Sequence, residues 1–246
     1  MRTRTRLGGA AAVTALAMLT SLALGSPASA ATTGESGPDQ ATQGLNGKAC
    51  VAAARSWTDR AVAARLVRIN HLQRALDAAP RVSADHRAAL EASYAADRKG
   101  LRAVRAEVRS DSTCAEAKKD ARRVVTSFRV YVLLTPQTSL TVRGDAGAAR
   151  ADADEALEPG YLEAIAALPE GDTKTAASGA LVELSASVDA AQGAFRPVGD
   201  TVLALVPADY PDQAEVLADA RDDVRTGRLA LADAATARAA LDALLA

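Results

Sequence analysis

Few side chains in this sequence are equipped for chemistry, and their spacing narrows the choice further. Two cysteines, Cys50 and Cys114, and two histidines, His71 and His86, are the whole supply among 246 residues. The histidines flank the break Ala79-Pro80-Arg81, and folding the chain there sets His71 opposite about Ala92, some six residues from His86. No Cys or carboxylate cluster joins them at ligand spacing, so no metal site is expected. The sequence also lacks a Gly-x-Ser-x-Gly elbow, a Walker loop, a Gly-x-Gly-x-x-Gly turn and a His-Glu-x-x-His pair. These motifs position nucleophiles, phosphates and zinc. Without them no catalytic residue and no cofactor is assigned, and the chain reads as a non-enzyme.

Asp97 is the one carboxylate out of place. It sits in the stripe Leu90, Tyr94, Asp97, Leu101, Val104, Val108, where the period of three and four calls for an apolar residue. A carboxylate on such a face must be paired or protonated. The expected register puts it level with about Leu66 and Thr126, within reach of Arg65, Arg122 and Arg129. Arg129 is taken as its partner in a buried structural pair that fixes register. A lone carboxylate without a second acid, base or metal makes a poor catalyst. Asp145, Asp152, Asp154 and Glu155 lack the glycine and terminal glutamate of a calcium loop. Arg143-Gly144-Asp145 matches the tripeptide that integrins read.

The cysteines depend on compartment. A basic start, Met1–Arg6, leads into an apolar run, Leu7–Leu24, and then Ser26-Pro27-Ala28-Ser29-Ala30, where Ala28 and Ala30 suit a signal peptidase. The run is short and alanine-rich for a membrane span. Residues 1–30 therefore read as a signal peptide, and the product as secreted, extracellular or associated with the cell wall. No later segment could span a bilayer. Export favours a Cys50–Cys114 disulfide over free thiols or a bridge between chains.

The elements that must position these residues are helices. Alanine makes up about a quarter of the chain and aromatics only 3 %, so helices meeting through small residues and Leu/Val stripes fit better than a core of bulky side chains. No alternating Val/Ile/Thr/Tyr run suggests strands. The expectation is an all-α, elongated bundle of about six long helices in two three-helix sets with coiled-coil-like packing. Residues 31–45, rich in Gly, Ser, Thr and Gln, read as a flexible leader. Residues 46–135 would form the first set, with helices over 46–79, from Ser83 to Ser110, and from Cys114 to a stop before Pro136. Residues 137–144 read as a loop. Residues 136–246 would form the second set, including a helix over Leu181–Leu205 kinked near Ala194–Arg196 by Pro197, and a last helix after Pro207 and Pro211. Val132–Pro136 is echoed by Leu203–Pro207, a faint sign of duplication.

Charge divides the chain in the same way. Residues 46–135 hold 18 Lys and Arg against 9 Asp and Glu, a net +9, while residues 136–246 hold 8 against 19, a net −11. Either the charges are solvated helix faces, or the two sets attract each other inside one bundle, or the basic one docks on a polyanion.

The stretch Ser127–Pro136, SFRVYVLLTP, carries Arg129-x-Tyr131-x-x-x-x-Pro136 after two alanine-rich helices, and a further helix set is entered through Pro207 and Tyr210. With the signal peptide, this pattern resembles uncharacterised exported or cell-surface alanine-rich helical proteins of actinomycetes. The resemblance implies a surface protein and transfers no catalytic residue. The expected role is a structural or binding module whose partner is an anionic wall polymer or another surface protein, with no nucleic-acid partner. The alternative is a carrier holding a small apolar ligand in a groove near Pro197.

Overall fold

Alanine, arginine and leucine dominate the long uninterrupted runs, and all three favour helix. In the structure, a computed structural model describing residues 37–208, 210 and 212–246, no strand occurs among the described residues. The helices are α1 (Pro38–Ala41), α2 (Gly47–Asp77), α3 (Ala84–Ser110), α4 (Cys114–Thr126), α5 (Thr135–Glu155), α6 (Glu158–Ala166), α7 (Asp172–Leu203) and α8 (Ala214–Leu245), with a π-helical turn at Val130–Leu134. The signal peptide expected over residues 1–30 lies outside the described residues. Glu35–Ala246 form one compact unit.

Caps explain several boundaries. The Ser83 hydroxyl accepts from the His86 amide and starts α3. Thr113 and Glu116 form a reciprocal capping box at α4. Six long helices then pack as two groups of three. In one group α2, α3 and α4 contact each other, and in the other α5, α7 and α8 do. Contacts of α3 with α7 and of α2 with α5 join the groups. Each group has its own apolar core, one around Val62, Ile69, Tyr94 and Leu101, the other around Leu184, Phe195, Val202 and Leu241. The stripe read in α3 is buried as expected at Leu90, Tyr94, Leu101, Val104 and Val108.

The disulfide joins Cys50 to Cys114 with their Cα atoms 5.5 Å apart across a sequence separation of 64. By the loop-entropy relation such a bridge contributes about 4 kcal/mol. It ties the first turn of α2 to the first turn of α4.

Three expectations need correcting. Residues 37–45 are not wholly flexible: α1 packs on α2 and α4, Pro38 and Thr42 are buried, and the Thr42 hydroxyl donates to the Pro38 carbonyl. The composition conceals these anchors because they are short and local. Pro136 does not stop a helix either. The break comes earlier, at residues 127–129, and Pro136 is the second residue of α5, directly after the π-helical turn over Val130–Leu134. Residues 137–144 are consequently helix, not loop, and Gln137, Thr138, Leu140 and Thr141 are buried there. Finally, Val132–Pro136 opens a helix whereas Leu203–Pro207 closes one, so the echo does not mark equivalent structure. α7 continues through Pro197. The carbonyl that Pro197 leaves free belongs to Gly193, an exposed residue that water can reach.

Candidate functional site

The first three long helices carry most of the arginine, and α3 arranges part of it in a row. Arg98, Arg102, Arg105 and Arg109 follow one another at intervals of four, three and four residues, so they share one side of the helix. That side adjoins α2. Arg98 Nη2 donates to Asn70 Oδ1 at 3.2 Å, Arg105 Nε to Asp59 Oδ1 at 2.6 Å, and Arg109 Nη2 to Asp59 Oδ2 at 3.2 Å. Burial pushes the Asp59 carboxyl up, but hydrogen bonds and charge from Arg105 and Arg109 outweigh it and hold it below its usual range. Arg102 is exposed and makes no hydrogen bond or ion pair among the described residues. Arg74, whose Nε donates to the Asn70 carbonyl, extends the row on α2.

These charges are not neutralised by the acidic half. Among the described residues, arginine and lysine ion pairs stay on their own side of Pro136: Arg122 with Asp39, Arg123 with Glu107 and Asp120, Arg150 and Arg238 with Asp154, Arg196 with Asp152, Lys174 with Glu170, Arg225 with Asp222.

The ionic link between the halves among the described residues is His86. Its Nδ1 lies 2.9 Å from Asp145 Oδ1, and its Nε2 lies 3.1 Å from Asp200 Oδ1. Asp145 also accepts from the Ser83 amide at 2.8 Å. The ring fits because residue 199 is glycine, where an added Cβ would stand 2.2 Å from His86 Cε1. Burial lowers the imidazole's proton affinity, but hydrogen bonds and charge from Asp145 and Asp200 more than offset it, leaving the pKa above 6.5. Both ring nitrogens are occupied, which suits a clasp better than a proton shuttle. Sequence reading missed this cluster, although a helical glycine beside Asp200 was a usable sign of close approach. It also removes the integrin-type reading of Arg143–Asp145, since Gly144 is buried against Val198 and the Asp145 carboxylate is engaged. His71 is exposed on α2 and contacts Arg74.

The expected Asp97–Arg129 pair does not form. Arg129 Nε instead donates to the Pro207 carbonyl at 2.9 Å, and its guanidinium lies 5.1 Å from the centroid of Tyr210. The break at residues 127–129 turns Arg129 toward the α7–α8 turn, away from α3. Asp97 makes no hydrogen bond or ion pair among the described residues, and burial pushes its pKa to about 6. Arg129, Pro207 and Tyr210 thus meet, while Tyr131 lies under Arg65, 5.3 Å from its guanidinium carbon.

Gln137 completes that junction by donating to the carbonyls of Val202, which also accepts from the Leu205 amide, and of Leu205. An open groove of about 530 Å³ lies beside it, lined by Thr126, Ser127, Arg129, Val206, Pro207 and Ala208. Around Pro197 the neighbouring space is filled by Phe195 against Gly147 and Gly227, Val198 against Gly144, and His86 against Gly199.

Among the described residues no group of three or more His, Cys, Asp or Glu could hold a metal ion, and no helix is long and apolar enough to cross a membrane. No protein-family model, curated protein or solved structure matches this chain.

Proposed function

We propose that the protein is an exported, non-enzymatic binding or structural module of the cell surface, and that its basic first three long helices contact an anionic polymer of the wall. One observation carries the reading: the surplus positive charge stays at the surface, because the arginines of that half find their carboxylates within it. A formal surplus of +9, in which Arg65 is the one buried arginine or lysine, attracts polyanions over a Debye length and raises their local concentration. The disulfide fits an oxidising compartment. The resemblance to exported actinomycete proteins points the same way.

The test is co-sedimentation of the purified protein with cell wall across a salt series. Binding that falls steeply with salt supports the reading. Retention unchanged by high salt removes its electrostatic basis. The carrier alternative loses its expected location, since side chains fill the space around Pro197. It would have to use the open groove at Arg129, whose lining is partly polar.

A further inference from the structure

We infer that the arginine row of α3 is a seat for a linear phosphate polymer, one phosphate to each guanidinium. The inference rests on the polyanion reading and narrows it to a ligand class. At a rise of about 1.5 Å per residue, the steps between Arg98, Arg102, Arg105 and Arg109 are roughly 6, 4.5 and 6 Å along the axis. The row is therefore about 16 Å long and presents charge at a repeat close to that of a chain bearing one phosphate per short unit.

Three of the four side chains are held in place, each through a single nitrogen: Arg98 by Asn70, and Arg105 and Arg109 by the shared carboxylate of Asp59. Holding them beforehand reduces the rotamer entropy lost on binding. The rest of each planar fork makes no other hydrogen bond among the described residues. That geometry matches two oxygens of a phosphate.

What the row lacks is equally specific. It offers donors, and its two acceptors, Asp59 and Asn70, are already engaged. A polysaccharide or polypeptide needs acceptors for its hydroxyl or amide protons, whereas a phosphate chain consists of acceptors. Among the described residues of α2 and α3 no aromatic ring is exposed for bases to stack on. Trp57 and Tyr94 are buried, and Phe128 is folded against Gly100.

The experiment titrates the intact, oxidised protein with four probes over a salt series: inorganic polyphosphate, poly(glycerol phosphate), polyglutamate and oligo-dT. Four phosphate contacts give a slope of about −3 for log K against log salt. Poly(glycerol phosphate), with a three-carbon unit between phosphates, should bind with that slope and more tightly than inorganic polyphosphate, whose phosphorus atoms share a single oxygen; polyphosphate binding alone would overturn the one-to-one seating. Arg102→Lys keeps the charge of an exposed, unbonded residue, so folding is undisturbed. It should weaken the phosphate polymers about fivefold and leave any residual polyglutamate binding unchanged. Polyglutamate binding as tightly as the phosphate chains would overturn the inference while leaving the polyanion reading standing. Oligo-dT binding much tighter than poly(glycerol phosphate) would overturn it as well, because base contacts would then be required. No binding to any of the four removes both readings.

Discussion

His86 and Asp145 stand 59 residues apart in sequence, and the ring Nδ1 lies 2.9 Å from the carboxylate in the fold. With Asp200 on the opposite ring nitrogen, the imidazolium clasps α3 to α5 and α7. Its folded pKa is raised above 6.5, so the stabilisation is fully present below that pH and is lost as pH rises through the folded value. His86→Asn should cost about 2 kcal/mol near pH 6. The difference from the parent protein should shrink at higher pH. Chemical denaturation of both proteins at several pH values measures it, and a pH-independent difference would count against a charged clasp.

Asp97 titrates with the opposite consequence. Its pKa is raised to about 6 without a partner, so the folded state holds the proton more tightly than the unfolded chain. Stability falls as pH climbs from about 4 to about 6. Asp97→Asn removes the penalty and should stabilise the protein at pH 7 by about 1–2 kcal/mol, a value discounted for the residue's remaining exposure. A destabilised variant would show that Asp97 has a partner in solution.

The Cys50–Cys114 bridge closes most of the first helix set. Replacing both cysteines by alanine should lower stability by about 4 kcal/mol, with amide exchange rising first in α2 and α4. Equal melting with and without reductant would contradict the staple.

Phe195 separates two kinds of helical glycine. Its ring lies between Gly147 and Gly227, and an added Cβ would stand 2.5 Å or 2.6 Å from ring atoms at these positions. The ring cannot yield to one side without meeting the other. Gly227→Ala should therefore destabilise by about 1–3 kcal/mol. Gly193→Ala, on an exposed position with nothing within 4 Å, should instead stabilise by up to about 1 kcal/mol. Denaturant midpoints of the pair check both signs.

Gln137 meets two buried carbonyls at the end of α7. Gln137→Ala leaves the Leu205 carbonyl unsatisfied, while Val202 keeps the Leu205 amide, and should cost about 1–2 kcal/mol. The loss should loosen the turn before α8, read as faster hydrogen exchange there.

Helical periodicity is a local property, and what depends on it was legible. The stripe from Leu90 to Val108, the cap at Ser83, the two groups of three long helices and the register bringing Cys50 to Cys114 all follow from spacing and turn chemistry along a few dozen residues. Proline was harder to read. Pro136 can end one helix or begin the next, and the choice depends on Gln137 finding the Val202 and Leu205 carbonyls and Thr138 the Tyr94 hydroxyl.

Which residues pair across the junction was decided by tertiary structure alone. Composition and helix period placed Asp97 on a buried stripe and surrounded it with arginines. They could not show that a break at residues 127–129 would carry Arg129 to Pro207 and leave Asp97 unpaired. Nor could they bring His86 to Asp145 and Asp200, since that contact needs α3 packed on α7 at the notch left by Gly199. The sequence by itself determined the helices, the staple and the charge of each half. The contacts between halves came from packing, because a side chain's partner across a bundle depends on the rotation and register of whole helices.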